Sequence, residues 1–273
     1  WEKSLVLTVP ESNPLAIPAI RETIKLEGPA GQYTLAASLE RGGAATGGRL
    51  TFYVSDPATL PKVQGTIATW GLDANAQKWL IARGMQVSAI EAAVPQDAKL
   101  ILVGMPGNAG DAKVWDELKQ RMLGGATVLF LGPKLFIEQA AAKAWLPLKQ
   151  KGRCYRFHDW LYHKECVAGR HPVFEGLPGA GIMDMDYYGP VIPHEVFADI
   201  DTPDQTIAAA FATGYHDLPD GYGCSILIGA WRSGEGRFIL STPYILENLD
   251  LHPAADRLLT NLVRYCQSAD QSR

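Results

Sequence analysis

The sequence has no apolar run of 18 or more residues, so no segment is long enough to cross a bilayer as a helix. It has no basic block either. Its 25 Lys and Arg stand against 29 Asp and Glu, a formal net charge of -4, which argues against a nucleic-acid partner held through phosphate contacts. No basic, apolar and small-residue succession opens the chain, so no signal peptide is expected. The first residue is Trp1 rather than Met, which predicts a chain processed or cut from something longer. Neither GxGxxG nor a P-loop lysine occurs, and no cofactor is expected. Cysteine is scarce: Cys154, Cys166, Cys224 and Cys266 form no CxxC pair, so no metal site is expected from them. Buried thiols are the ordinary outcome for such residues. Cys154 and Cys166, which are 12 apart in an irregular stretch, could still bridge in an oxidising compartment.

What is present is a globular composition. The chain has 273 residues, 47% of them hydrophobic and 20% charged, enough for two ordinary domains or one large α/β domain. Four early segments alternate apolar and polar residues: Leu5/Leu7/Val9, Ile24/Leu26, Tyr33/Leu35/Ala37/Leu39 and Leu50/Phe52/Val54. Bounded by Pro- and Gly-rich turns, they predict half-buried antiparallel strands of a small, incomplete β-sandwich over 1–57.

After Pro61 the rhythm changes. Thr66–Gly71, Met85–Ile90, Lys99–Gly104 and Thr127–Gly132 predict strands, the third apolar enough to be covered on both faces. Between them, the spacing of Leu72, Ala76, Trp79 and Leu80, and again of Val114, Trp115, Leu118 and Met122, predicts amphipathic helices closed by glycines. Thr206–Ala212, Gly223–Trp231 and Arg237–Ser241 predict further strands, the last two joined in a hairpin at Ser233–Gly236. A closing helix starts at Pro253. The pattern predicts a second domain over 62–268, an α/β fold whose doubly wound sheet is mostly parallel with an antiparallel edge. Residues 150–222 are too irregular to assign.

The stretches Gly234–Ser241, His252–Leu262 and Asp184-Met185-Asp186-Tyr187-Tyr188-Gly189-Pro190-Val191-Ile192-Pro193 resemble the C-terminal region of certain bacterial family 2 glycoside hydrolases. That resemblance implies an immunoglobulin-like sandwich joined to a flavodoxin-like domain related to class I glutamine amidotransferases. A similar domain is the trimerisation module of some β-galactosidases. It further implies a non-catalytic accessory region that packs, orients or oligomerises a hydrolase. The partners would be an upstream catalytic domain of the same polypeptide, a carbohydrate or a second copy, in the periplasm or outside the cell. The family's catalytic glutamates sit on a (β/α)8 barrel that this chain is too short to form. Amidotransferases need a cysteine on a strand-to-helix elbow, and Leu131-Gly132-Pro133-Lys134 carries none.

Asp184, Asp186, Tyr187, Tyr188, His194 and Glu195 form the densest polar and aromatic cluster. It reads in three ways: turn caps and packed tyrosines, a sugar or small-ligand contact, or an acid/base or metal site that would make the chain an independent hydrolase. A second group, His158, Asp159, Trp160, His163 and Glu165, offers Trp160 as a further sugar platform, and its histidines miss the spacing of a helical metal pair. Gly104–Gly110 follows a strand and opens a helix, the place where open α/β sheets bind small ligands.

Overall fold

The computed structural model describes the chain apart from residues 9, 13–16, 19, 41–46, 92–97, 108, 158–164, 180, 214–221 and 269–273. Two sheets organise it. The first is an antiparallel hairpin of β1 (Gly31–Ala37) and β2 (Gly48–Val54), in which Tyr33 faces Phe52 and Leu35 faces Leu50. The second has ten strands in a mixed α/β arrangement. Its parallel part is β3 (Gly65–Trp70), β4 (Met85–Ala89), β5 (Leu100–Val103), β6 (Thr127–Leu131) and β12 (Gly236–Ser241), in spatial order β4-β3-β5-β6-β12. Beyond β12 the sheet continues antiparallel through β11 (Tyr222–Ser233), β10 (Gln205–Thr213) and β8 (Glu165–Ala168). A branch, β7 (Lys151–Arg156) and β9 (Glu195–Ile200), joins through Phe197 opposite Ile226 of β11.

Alternation on β3, β5, β6 and β12 sends successive side chains to opposite faces, and helices cover both. On one face Ile67, Leu100, Leu102 and Leu129 meet α1 (Ala74–Ala82) and α6 (Pro253–Ser268) through Trp79, Leu80, Leu258 and Leu262. On the other, Trp70, Ile101, Val103 and Phe238 meet α2 (Ala112–Leu123), α3 (Lys134–Glu138) and α4 (Ala140–Trp145). This second face is a run of aromatic edges: Trp115 lies 4.8 Å from Trp70 and 5.9 Å from Trp145, which lies 5.3 Å from Phe130. Each indole nitrogen of Trp115 and Trp145 donates to a backbone carbonyl, Ala109 O at 2.8 Å and Trp115 O at 2.9 Å, so burial leaves neither N–H unpaired. Helix starts follow their caps. Asp73 accepts from Ala76 N at 2.7 Å and Asp111 from Lys113 N at 2.9 Å.

Two expectations are corrected. Among the described residues no strand forms before Gly31, so the four-stranded sandwich is reduced to one hairpin. Short alternations such as Leu5/Leu7 carry the strand period but bring no partner, and both side chains stay more than 40% exposed (46% and 42%). The suggested Cys154–Cys166 bridge is also absent: all four cysteines are free. Cys154 sits on β7 beside β9, whereas Cys166 sits on β8 beside β10, so the sheet holds them on different branches. The antiparallel side is moreover broader than an edge, because the irregular 150–222 stretch supplies β7, β8 and β9.

The β3–β5 crossover is closed by backbone. Gly71 has φ +69°, and a Cβ there would lie 2.2 Å from Pro106 N. Met105 N donates to Gly71 O at 3.0 Å, which ties the start of the loop after β5 to the end of β3. Gly71→Ala is expected to cost about 2–4 kcal/mol through left-handed strain and overlap. Gly107→Ala, where a Cβ meets nothing within 4 Å, should change stability by about 0.5 kcal/mol or less. Urea-unfolding midpoints of the two variants check the pair.

Candidate ligand cleft

A recess with convergent polar groups, about 480 Å3, lies between the hairpin, the strap 176–178 and the first turn of α6. Its walls are assembled by three local devices. The first is α5 (Met185–Tyr188), one turn capped by Asp184, whose carboxylate accepts from Tyr187 N at 2.8 Å. That cap aims Tyr187 at Tyr53 of β2, edge to face at 4.9 Å, and sets Tyr188 at 5.0 Å behind it. The second is Asn261, buried on α6, whose Nδ2 donates to Val173 O at 3.0 Å and Glu175 O at 2.9 Å and so ties the strap to the helix. The third is His252, whose Nδ1 accepts from Ala254 N at 3.2 Å and caps α6 before Pro253.

These devices place Asp256 and Arg257 in the cleft beside Tyr53, Ser55, Thr59 and Tyr187. Asp256 accepts from Asp250 N at 2.9 Å, and burial raises its carboxyl above the usual range. Burial also raises the Tyr187 phenol, against the Ser55 hydroxyl and the Arg257 charge, which pull it down. Tyr53 is raised by burial and by the negative charges of Asp184 and Asp186. Both phenols therefore stay protonated at neutral pH and present hydroxyls that can donate and accept. Aromatic edges, hydroxyls and one guanidinium around an open recess are groups that orient a small polar molecule with an apolar face.

Of the candidate site residues singled out from sequence, Tyr187 alone among the described ones lines the cleft. Asp184 is spent on its cap, Asp186 is exposed on α5, and Tyr188 is buried with its hydroxyl on Pro178 O at 2.6 Å. His194 is exposed beside Tyr244, whose hydroxyl takes His194 N at 3.0 Å and donates to Glu195 at 2.6 Å. Trp160, His158, Asp159 and His163 lie outside the described residues. No group of three His, Cys, Asp or Glu among the described residues could hold a metal. Tyr53 and Arg257 escaped sequence reasoning, although Tyr53 stood beside the Phe52 that marked β2. A second recess of about 310 Å3 near Arg237 is structural in character. Arg237 donates there to Thr127 Oγ1 (3.2 Å) and to Tyr265 O (3.1 Å) and Cys266 O (3.3 Å), closing the last turn of α6.

No family model matches the chain, and no curated protein matches it. Among solved structures, a ThuA-like protein from Bacteroides uniformis ATCC 8492 is 14% identical with a TM-score of 0.45, over 81% of this chain and 97% of that one. The exo-β-1,4-mannosidase Op5Man5 from Opitutaceae bacterium strain TAV5 is 12% identical with a TM-score of 0.38, over 78% of this chain and 36% of that one. The β-galactosidase from Bacillus circulans sp. alkalophilus is 11% identical with a TM-score of 0.38, over 76% and 31%. Scores this low carry no inference about activity.

The caps make stability acid-sensitive. His171 accepts from Val173 N at 3.3 Å as His252 does from Ala254 N, and only a neutral imidazole nitrogen can accept. Burial lowers both imidazoles below 6.5, with Arg237 adding to the effect at His171 against Gln205, and Asp256 opposing it at His252. The unfolded chain then takes up protons first as pH falls through 6.5. Stability is therefore full above that value and declines below it. Unfolding free energies should fall between about pH 7 and 5.5. In H171N/H252N, which keeps a capping side chain at each position, the slope should flatten.

Proposed function

We propose that this chain is a non-catalytic accessory region of a carbohydrate-active glycoside hydrolase, and that its cleft contacts a sugar of the substrate. The reading divides the chain into a sandwich-derived segment, 1–57, and a flavodoxin-like, doubly wound domain, 62–268. The spatial order of the parallel strands supports the second part: numbered along the chain they lie second, first, third, fourth, fifth, the flavodoxin-like succession. The resemblance of Asp184–Pro193 and His252–Leu262 to family 2 hydrolases supports the enzyme class. The partner would be a catalytic barrel in the same polypeptide, with a second copy of this region as a further neighbour.

The observation that carries the reading is the cleft itself, where two protonated phenols and Arg257 converge on one open recess. A sugar ring offers an apolar face for Tyr53 and hydroxyl edges for Ser55 and Thr59. The strand-to-helix elbow after β6 is Gly132-Pro133 and carries no cysteine, and burial pushes the Cys154 and Cys266 thiols up to about 12.

Titration calorimetry with methyl β-D-glycosides, run beside an aryl-glycoside hydrolysis assay, tests this. Binding without turnover is expected, weakened about tenfold or more in Tyr53→Ala, a loss within the range measured when aromatic anchors are truncated. Turnover that survives repurification and is lost in Asp186→Asn would overturn the reading, as would the failure of every glycoside to bind.

A further inference from the structure

Arg257 differs from the arginines that are held by ion pairs or by carbonyls. Arg237 spends its donors on Thr127 Oγ1 and two helix carbonyls, Arg121 pairs with Glu117, Arg153 with Asp199 and Arg264 with Glu175. Arg257 is half-buried, yet among the described residues its guanidinium makes one hydrogen bond, to Thr59 Oγ1 at 3.3 Å, and no ion pair. A guanidinium has five N–H donors in a planar fork, so most of its capacity remains unmatched at the cleft wall.

Its position is also prepared. Gly176 has φ +71°, and a Cβ there would lie 3.2 Å from Arg257 Cζ, so the strap leaves room for the guanidinium to lie against it. Asp56 and Asp256 line the same cleft, but no ion pair to Arg257 is seen among the described residues. Asp56 accepts from Ala58 N at 2.9 Å, and Asp256, its own chain neighbour, accepts from Asp250 N at 2.9 Å. A half-buried guanidinium with unmatched N–H donors gains from a ligand that supplies acceptors in its plane.

We propose that Arg257 is the anion-recognising group of the cleft, and that the sugar it takes is acidic, a pyranoside bearing a carboxylate such as a uronate. This rests on the cleft being a sugar site and narrows the class of sugar. A planar carboxylate matches the planar fork with two parallel N–H···O bonds. A sugar phosphate could use the same donors. Its second negative charge, however, would sit among Asp56 and Asp256, and Asp184 and Asp186 reach the neighbouring Tyr53 with their charges. The monoanion meets less repulsion, and the carboxylate is favoured on that ground.

The test is calorimetry at pH 7 with methyl β-D-glucuronide, methyl β-D-glucoside and glucose 6-phosphate. The glucuronide should bind about tenfold or more tightly than the glucoside, with glucose 6-phosphate weaker than the glucuronide. Arg257→Gln should erase the preference, weakening the glucuronide about tenfold or more and the glucoside by less. Arg257→Lys, which keeps charge without the fork, should recover only part of it. Raised salt should narrow the gap between the two glycosides. Equal binding of the two glycosides, or a preference that survives Arg257→Gln, would overturn the acidic-sugar assignment while leaving a neutral sugar site standing. Tighter binding of glucose 6-phosphate would overturn the carboxylate assignment. Failure of all three to bind would remove the sugar reading itself. Urea-unfolding midpoints equal to wild type show that the variants are folded.

Discussion

The edge contact between Tyr53 and Tyr187 is the constraint on which the rest of the site depends. A two-stranded hairpin is marginal by itself in water, and β1–β2 has no third strand among the described residues. Its outer face leaves Leu35 and Leu50 exposed, so the stabilisation must come from the inner face. There Tyr53 packs on the buried core next to Tyr187, and the 4.9 Å, steeply tilted geometry is the one that ring quadrupoles favour. Loss of that contact would free the hairpin wall, and the recess that holds Ser55, Thr59 and Arg257 would no longer be bounded.

The other wall depends on α6. Its sixteen residues are anchored at both ends, by His252 at the start and by Arg237 on the last carbonyls. In the middle, buried Asn261 fixes the strap that passes over Arg257. Helix, strap and hairpin are therefore coupled through a few polar contacts laid over an apolar core. Acid sensitivity and ligand contact converge on the same turn, because the imidazole that caps α6 lies 5.8 Å from the Tyr187 ring.

The parallel half of the sheet was legible in the sequence because β3, β5 and β6 are short apolar runs that end at Gly71, Gly104 and Gly132, and α1 and α2 show their apolar faces. Lys99–Gly104 became β5 with all four strand residues buried, and Asp111, just ahead of the periodic run, became the cap of α2. The antiparallel side was harder. In β7, Lys151–Arg156, exposed and half-buried residues mix, since the strand pairs only with β9 and none of its residues is fully buried to mark a core face. The cleft was legible only in part. Asp184-Met185-Asp186-Tyr187-Tyr188 stood out by composition, but Tyr187 alone reaches the recess, because Asp184 turns inward as a cap and one helical turn points Asp186 outward. Tyr53 and Arg257 belong to a strand and a helix 204 positions apart, and no local spacing announces their meeting. Only the packing of the hairpin on α5 and α6 does so.

The central claim is that one aromatic contact ties the hairpin to the body and so forms the cleft. A double-mutant cycle of Tyr53→Ala and Tyr187→Ala, read by urea unfolding, measures that tie. A coupling free energy of about 0.5–1.5 kcal/mol is predicted, the range for edge-to-face aromatic pairs. Strictly additive losses would show that the hairpin does not depend on Tyr187, and would contradict the account.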